Sequence, residues 1–394
     1  MTVFLSAVRT PFGAFGGALK DFTATDLAVH AARAAIERAQ VPAAAVDTTV
    51  FGNVLQTSAD ACYYARHIAL RAGCRIETPS LTVNRLCGSG FEAIVQGVNA
   101  ITSGEAEVAL VGGGESMSQA PFAARNIRWG IGLGVNPPLV DTLTEALRDA
   151  YAGCAMAETA ENLADRYKLT RRDVDEFALR SQQLARDGWA SGAYDDEVVA
   201  VSVQRPKAKT AESFARDEHM RPDSTAEGLA KLRALFRENG TVTAGNASGI
   251  GDGAGALVLA SENAARKHGA KPLARFVSSA VVGVDPTVMG IGPVPAAKLA
   301  LDRAGMTLAQ MDLIEINEAF ASQTVAVERE LGIPREKLNV HGGAIALSHP
   351  LAASGARITA HLIHSLRHSG KRFGLGAACI GGGQGIAVIV EIAH

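Results

Sequence analysis

The stretch Asn84-Arg85-Leu86-Cys87-Gly88-Ser89-Gly90-Phe91 opens a helical pattern that runs to about Thr102. A strand-like segment and the triple glycine Gly112-Gly113-Gly114 follow it. The same order returns after Ser354-Gly355, a second Ser-Gly pair that also precedes a helix, a strand and a triple glycine. This ordered recurrence predicts a duplicated structural unit.

Other landmarks support the duplication. Asp47 and Asp312 are separated by the same interval as Ser89 and Ser354, and each aspartate precedes a strand-like segment. The second triple glycine, Gly381-Gly382-Gly383, follows the first at a slightly longer interval, which indicates a slip of four residues in register. Because both triple glycines adjoin apolar runs, they predict tight turns at the ends of buried strands.

Length and charge limit the possible classes of protein. A chain of 394 residues exceeds the size at which one hydrophobic core keeps growing, so two core-forming units are expected. The 38 basic and 40 acidic residues leave no basic surplus for a nucleic acid, and small molecules are the expected partners. No apolar run approaches the roughly 18–20 residues that cross a bilayer, so no membrane partner is expected.

Cysteine usage and the start of the chain predict a cytoplasmic protein. The five cysteines are odd in number and form no CxxC pair, which argues against a disulfide framework and a zinc ribbon; they are Cys62, Cys74, Cys87, Cys154 and Cys379. The first seven residues lack the basic and apolar regions of a signal peptide. Free thiols in a reducing compartment fit both observations.

Helical and strand periods alternate along most of the chain, which predicts an α/β fold. Residues 23–40 read as a helix with a capping box and 48–54 as a strand, and residues 295–306 and 313–317 repeat that pair. Charged amphipathic helices at 159–167 and 171–189 interrupt the pattern. The predicted units are an N-terminal half (1–118 plus 248–269), an inserted loop domain (119–247) and a C-terminal half (270–394).

Two cysteines and a histidine are the candidates for catalysis. Cys87 precedes a helix, and the positive end of a helix favours the nucleophilic thiolate. Cys379 precedes a glycine turn whose backbone N–H groups can stabilise an oxyanion. His349 follows a glycine pair, an apolar segment that reads as a strand, and a turn; a histidine can activate a cysteine. Asn317 follows a buried strand and can cap a helix or hold a water molecule.

Four motifs in this order resemble the thiolases. They are Cys87-Gly88-Ser89-Gly90, Asn317-Glu318-Ala319-Phe320, Ser348-His349-Pro350 and Cys379-Ile380-Gly381-Gly382-Gly383-Gln384-Gly385, and the resemblance covers essentially the whole chain. It implies five α-β-α-β-α layers built from two similar mixed-sheet halves, with an inserted loop domain over a coenzyme A site. It also implies an acyltransferase that cleaves 3-ketoacyl-CoA with CoA, or condenses two acetyl-CoA, through an acyl-cysteine.

The resemblance assigns a role to each motif. It implies that Cys87 takes the acyl group, that His349 activates it, and that Cys379 exchanges the proton on the α-carbon of acetyl-CoA. His349 and a water held by Asn317 form one implied oxyanion hole, and the N–H groups of Cys87 and Gly381 form the other. The set needs no metal and no prosthetic group, because a thioester already acidifies its α-hydrogens and a positioned base adds about 10²–10⁴-fold.

The resemblance also implies contacts and partners. The residues matching coenzyme A contacts are Met156, Arg221, Ala244, Ser248, Met289 and Phe320, with Arg221 near the nucleotide. The basic stretch 205–209 is a candidate for a phosphate contact or a solvated surface. A homodimer or homotetramer is expected, and partner subunits in fatty-acid oxidation are further candidate partners.

The chain departs from the thiolase pattern at three positions. Ser348 and Ala352 stand where glycine is usual, and His341 stands where asparagine is usual. We expect the backbone angle at Ser348 to suit serine, with its hydroxyl bonded to a nearby backbone group. The segments around Cys154 and Met289 are more similar to 3-ketoacyl-CoA thiolases of the mitochondrial type than to short-chain biosynthetic ones.

Three alternatives remain open from the sequence. A decarboxylating ketosynthase shares the fold and the nucleophilic cysteine, but a second histidine is expected there in place of Cys379. A catalytically weak coenzyme A-binding or structural subunit of a fatty-acid oxidation complex would fit the changes at Ser348 and Ala352. The third alternative is a zinc site formed by Cys87, His349 and Cys379.

Overall fold

The computed structural model describes residues 1–204 and 210–393. Its strands are β1 (Thr2–Arg9), β2 (Gly13–Ala14), β3 (Thr48–Gly52), β4 (Ser80–Val83), β5 (Val108–Ser116), β6 (Phe122–Ala124), β7 (Leu139–Asp141), β8 (Arg148–Asp149), β9 (Cys154–Ala155), β10 (Val201–Val203), β11 (Glu212–Phe214), β12 (Gly251–Ser261), β13 (Ala274–Gly283), β14 (Leu313–Ile316), β15 (Phe373–Ile380) and β16 (Gln384–Ile392). The basic stretch 205–209 lies outside the described residues.

The α-helices are α1 (Ala24–Ala39), α2 (Tyr64–Ala72), α3 (Ser89–Thr102), α4 (Thr142–Ala146), α5 (Met156–Arg166), α6 (Arg171–Ser191), α7 (Ala226–Ala230), α8 (Glu262–His268), α9 (Pro293–Ala304), α10 (Ala321–Leu331), α11 (Ala344–Leu347) and α12 (Ser354–Ser369). Short 3₁₀ turns include Met117–Gln119, Pro286–Ile291 and Leu351–Ala353. Within the described residues, no helix is both long and apolar enough to span a membrane.

The central sheet has the strand order β14-β15-β16-β13-β1-β12-β5-β3-β4, and β2 pairs with β12. The pairs β3–β4, β3–β5 and β14–β15 are parallel and the other pairs are antiparallel, so each half is a mixed sheet. The two halves meet where β1 pairs with β13 over only two residue pairs. The predicted pair of similar mixed-sheet halves is therefore confirmed.

The helices and half-sheets form five layers, and three large hydrophobic clusters fill the space between these layers. Helices α1 and α2 cover one half-sheet with side chains such as Leu27 and Ile68. Helices α3 and α12 lie between the half-sheets and bury Phe91 and Ile358. Helix α9 covers the second half-sheet. Because each sheet face is covered by a helix layer, the α-β-α-β-α prediction is confirmed.

The two middle helices approach each other closely at glycine. A Cβ added at Gly90 of α3 would lie 2.5 Å from the carbonyl oxygen of Ala352, just before α12. A Cβ at Gly355 of α12 would lie 2.2 Å from the backbone nitrogen of Phe91. Since side chains at either position would separate the helices, the Ser-Gly repeat marks the contact between the two halves.

The two triple glycines do not occupy matching positions in the two halves. The four-residue slip in register that was predicted from their spacing is therefore wrong. The starts of β3 and β14, of α3 and α12, and of β5 and β15 all keep one constant spacing, so the register does not change between the halves. Gly112-Gly113-Gly114 lies inside β5, where a Cβ at Gly113 would be 2.1 Å from the Ala352 carbonyl oxygen. The second triple glycine does form a turn, and Gly382 and Gly383 have φ of +79° and +81°.

Local predictions were mostly accurate. Helix α1 begins after Thr23, whose side chain accepts the Asp26 N–H in the predicted capping box. The apolar segment before His349 was predicted as a strand but is the short helix α11. A buried carboxylate explains this difference, because Glu318 accepts the Ile345 N–H in the first turn of the helix.

The region predicted as an inserted domain contains α4 to α7. Helices α5 and α6 pack against α10, and α6 also packs against α11, so these helices lie on the C-terminal half. Strand β12 returns to the first half-sheet between β1 and β5. The boundaries at residues 119 and 247 stay a prediction.

Candidate active site

Cys87 lies just before α3 and lines a largely apolar cavity of about 340 Å³. The backbone N–H groups of Cys87 and Gly381 lie near its sulfur and act to lower the pKa of the thiol. Burial nevertheless raises the pKa of the Cys87 thiol to about 11, against this opposing effect of the two donors. The helix end and the two donors therefore do not keep the resting thiol ionised, and the thiol needs a base when it reacts.

His349 lies on the wall of the same cavity, between α11 and the turn Leu351–Ala353. The backbone N–H of His349 donates to the carbonyl of Gly249 at 2.9 Å. The ring nitrogen Nδ1 lies 2.5 Å from Oγ of Ser354. Burial, and then the charge of Arg357, lower the pKa of His349 to about 3. The imidazole is therefore neutral at physiological pH and can accept a proton.

Asn317 follows β14 and is fully buried. Its Nδ2 lies 3.4 Å from Nε2 of His349. Its Oδ1 has no hydrogen-bond partner in the part of the chain that the structure describes. A buried acceptor costs about 1–3 kcal/mol when unpaired, so this atom is suited to bind a water molecule or a substrate group.

Cys379 lies in β15, one residue before the strand ends, and is completely buried. Burial raises the pKa of its thiol, and the nearby Cys87 raises it further. The side chain packs against Met289 and Ala319. The structure thus brings the two predicted cysteines together, with the turn of Gly381 beside both.

The predicted coenzyme A contacts divide between two adjoining spaces. Met156, Ala244, Ser248, Met289 and Phe320 line the cavity that contains Cys87 and His349. Arg221 does not line it but lies in a neighbouring groove of about 380 Å³ with His219. Ala244 lines both spaces, so the groove continues the cavity toward the surface.

The loop that carries Ser248 and Gly249 is held from two sides. The Ser248 N–H donates to the Ala319 carbonyl at 3.0 Å, and the Ala321 N–H donates to the Asn246 carbonyl at 2.9 Å. On the other side, the Gly249 carbonyl accepts the N–H of His349. These backbone hydrogen bonds therefore fix the position of His349 relative to the cavity wall.

Glu115, to which no role was assigned from the sequence, holds the backbone behind Cys87. This buried carboxylate accepts N–H groups from Val54, Leu55 and Ala352, and the amide of Asn53. Burial raises its pKa to about 7. A single acidic residue directly after three glycines in an apolar strand is the signal that could have identified it.

No group of three or more His, Cys, Asp or Glu side chains is arranged to hold a metal ion in residues 1–204 and 210–393. Cys87, His349 and Cys379 are thus not arranged as a zinc site. Their arrangement suits acyl transfer instead, because a thiol, a neutral imidazole and two convergent N–H groups share one apolar cavity.

Of the two expectations for Ser348, its hydroxyl hydrogen bond is present but its backbone angle is not the expected one. Its φ of +88° and ψ of +164° place it in a region that glycine alone occupies readily, so the expectation that its backbone angle suits serine is wrong. The expected hydroxyl bond is present, because Oγ donates to the Gly249 carbonyl at 3.1 Å. Ser348 therefore combines a strained angle with a second bond between the His349 segment and the Gly249 loop.

We expect Ser348→Ala to be less stable than Ser348→Gly. Alanine keeps the strained angle and loses the hydrogen bond, which contributes about 1 kcal/mol. Glycine loses the same bond but relieves strain of about 1–3 kcal/mol, offset by about 0.4–1 kcal/mol of added unfolded-state entropy. Thermal unfolding of both variants and the parent measures this order, and an alanine variant at least as stable as the glycine variant would contradict it.

The chain is similar to known proteins along its whole length. The sequence model "Thiolase, N-terminal domain" matches residues 2–263, and "Thiolase, C-terminal domain" matches residues 270–392. The chain is 55% identical to the mitochondrial 3-ketoacyl-CoA thiolase of Bos taurus, over 98% of this chain and 97% of that protein. It is 47% identical to the beta-ketothiolase BktB of Cupriavidus necator, over 99% and 98%.

A solved structure gives the same result. The crystal structure of human mitochondrial 3-ketoacyl-CoA thiolase in complex with CoA matches with a TM-score of 0.97 and 53% identity. The match covers 100% of this chain and 98% of that one.

These relatives correct the prediction of a cytoplasmic location. The bovine relative and the human structure are both named as mitochondrial proteins. Free thiols and a balanced charge indicate a reducing compartment but do not distinguish one such compartment from another. The cytoplasmic prediction is therefore wrong.

Proposed function

This chain belongs to the thiolase family, and from that premise we propose that Cys87 is its nucleophile, His349 its activating base and Cys379 its α-carbon acid and base. A thiolase is an acyltransferase that cleaves 3-ketoacyl-CoA with CoA, or runs the reverse condensation, without a prosthetic group. The observation that carries the assignment is the convergence of the Cys87 and Gly381 N–H groups on the Cys87 sulfur, beside a neutral His349.

In the first step, the Cys87 sulfur attacks the 3-keto carbon while its proton passes to Nε2 of His349. The oxyanion that forms accepts hydrogen bonds from the N–H groups of Cys87 and Gly381, which already point at the sulfur. The bond between C2 and C3 then breaks, and its electron pair forms the enolate of acetyl-CoA. Cys379 gives its proton to C2, which completes acetyl-CoA.

In the second step, the acyl group leaves Cys87. Incoming CoA gives its thiol proton to the Cys379 thiolate and attacks the acyl carbonyl. The Cys87 thiolate departs and recovers its proton from His349, so all three groups return to their starting forms. We propose that Asn317 holds a water that shares the enolate oxygen with His349, since its buried Oδ1 needs a partner.

We propose that the pantetheine arm of CoA lies in the cavity and its nucleotide in the adjoining groove. The apolar wall formed by Met156, Met289 and Phe320 suits the arm, and Arg221 offers a positive charge for a phosphate in the groove. Ala244 borders both spaces, which supports this continuous path.

We further propose that the enzyme acts in the degradative direction of β-oxidation on acyl chains longer than acetyl. Met117, Leu147 and Leu351 line the cavity beside Cys87, and Met117 and Leu351 pack with Leu55 and Leu143 in one apolar cluster. Each buried CH₂ group contributes about 0.8 kcal/mol, so a longer chain gains from this wall.

Thiolysis rates across 3-ketoacyl-CoA substrates of increasing length test the proposal. We expect kcat/KM to rise from acetoacetyl-CoA to medium-chain substrates, by up to about fourfold per CH₂ group. Leu351→Ala should flatten this dependence, and Leu232→Ala, at the nucleotide groove, should not. A maximum at acetoacetyl-CoA would contradict the substrate range, and no thiolysis at any length would contradict the assignment of an active enzyme.

The alternatives from the sequence are not favoured. A catalytically weak binding subunit would have no need of two cysteines and a neutral histidine assembled at one cavity. A ketosynthase is not favoured because both halves of the chain match the thiolase models.

We propose that the chain forms a homodimer through the edge of the sheet at β4. This strand pairs only with β3 in the described part of the chain, and Leu81 on it is 50% exposed. Uncovered edge strands favour pairing with another chain. Light scattering on the purified protein tests the dimer. A homotetramer and association with other fatty-acid oxidation subunits stay predictions.

A further inference from the structure

Ser354 is the first residue of α12 and is 1% exposed. Its Oγ lies 2.5 Å from Nδ1 of His349, and this is the polar contact that fixes the far side of the imidazole ring. The opposite ring nitrogen, Nε2, faces Asn317, and His349 lines the cavity. Ser354 therefore touches the catalytic histidine without touching the cavity.

The serine at the matching position of the other half has a different task. Ser89 begins α3 as Ser354 begins α12, yet Ser89 Oγ donates to the Leu86 carbonyl at 2.7 Å and accepts the Arg85 N–H at 2.9 Å. The Ser89 hydroxyl therefore bonds only to the backbone of the loop just before its own helix. In the second half the hydroxyl instead contacts the imidazole, so the contact is not a consequence of the helix start alone.

We propose that Ser354 is a positioning residue that accepts the Nδ1–H of His349 and thereby selects the ring tautomer whose Nε2 can take the proton of Cys87. The bond made by one ring nitrogen sets the protonation of the other. A neutral hydroxyl does this without the charge of a carboxylate, which would stabilise the protonated ring and retain the proton that His349 must pass on.

The charges around the His349 ring favour its neutral form. Arg357, one turn after Ser354 on α12, places a positive charge near His349 and lowers its pKa. Arg357 is itself buried and paired with Glu315 at 2.8 Å. Because the protonated ring is disfavoured, the choice of tautomer decides whether Nε2 accepts or donates.

The test separates two partial reactions of the intact protein and rests on the role proposed above for His349. Without Ser354, the ring is expected to carry its proton on Nε2, where it cannot accept from Cys87 but can still donate to an enolate oxygen. Ser354→Ala should therefore slow acetylation of Cys87 by acetyl-CoA roughly 10- to 100-fold. Deuterium exchange into the acetyl methyl group should fall less than tenfold.

Two further variants make the test specific. Ser354→Thr keeps the hydroxyl and should recover acetylation to within about threefold of the parent. Ser365→Ala removes another buried serine of α12, far from His349, and should change neither rate. The ¹⁵N shifts of the His349 ring report the tautomer directly and should move in Ser354→Ala but not in Ser365→Ala.

Equal loss of both rates in Ser354→Ala would overturn the inference, since it would indicate a purely structural role. Retention of both rates, or an unchanged ring tautomer, would overturn it as well. A parent protein that neither acetylates Cys87 nor exchanges deuterium would instead overturn the proposed function itself.

Discussion

Cys379→Ala is expected to lower deuterium exchange into the methyl group of acetyl-CoA by about 10²–10⁴-fold, the usual contribution of a positioned general base. The same variant should still acetylate Cys87 at a measurable rate, because attack by Cys87 requires His349 and the two N–H groups. Alanine fits the site, since Cys379 is a small, fully buried side chain among apolar neighbours.

The two rates can be measured on one preparation. Exchange is followed by mass spectrometry of acetyl-CoA in D₂O, and acetylation by peptide mass after an acid quench. Cys62→Ala is the matched control, because Cys62 is an exposed thiol away from the cavity. Exchange at the parent rate in Cys379→Ala would show that another residue is the base.

His349→Ala is expected to slow acetylation of Cys87 by about 10²–10⁴-fold at neutral pH. Because the pKa of Cys87 is raised to about 11, only a small fraction of this thiol is ionised at pH 7 without a base. In the variant, the thiolate fraction and the rate should rise about tenfold per pH unit up to that pKa. The parent rate should vary little between pH 5 and 9, since His349, with a pKa of about 3, stays neutral there.

His341→Asn is the control for this experiment. His341 is another partly buried histidine, but it contacts His361 and does not line the cavity. Its variant should keep the pH profile of the parent. A parent rate that falls below a pKa near 6.5, or a His349→Ala rate independent of pH, would contradict the neutral thiol and neutral imidazole.

Much of the architecture could be predicted from patterns within single segments. The capping box at Thr23 and the matching positions of Ser89 and Ser354 depend on local chemistry and on duplication, so both were recognisable in the sequence. The four catalytic motifs were also recognisable, because each joins a reactive side chain to glycine or to a strand end. The family resemblance then supplied their order and roles.

The remaining features depend on contacts between distant segments. Gly113 looked like a turn residue, but it lies in a strand because the Ala352 carbonyl must approach it. The strained angle at Ser348 could not be read from residue type, since serine usually avoids that region. Burial, which the sequence does not show, outweighs the effect of the nearby N–H groups on the pKa of Cys87.

The most direct test of the whole account is to mix the protein with acetyl-CoA alone, quench with acid and locate the acetyl group by peptide mass spectrometry. A buried thiol beside a neutral base and two oxyanion donors should attack the thioester without a second substrate. The account predicts one acetyl group, on Cys87. Acetyl found only on another cysteine, or on no residue, would contradict it.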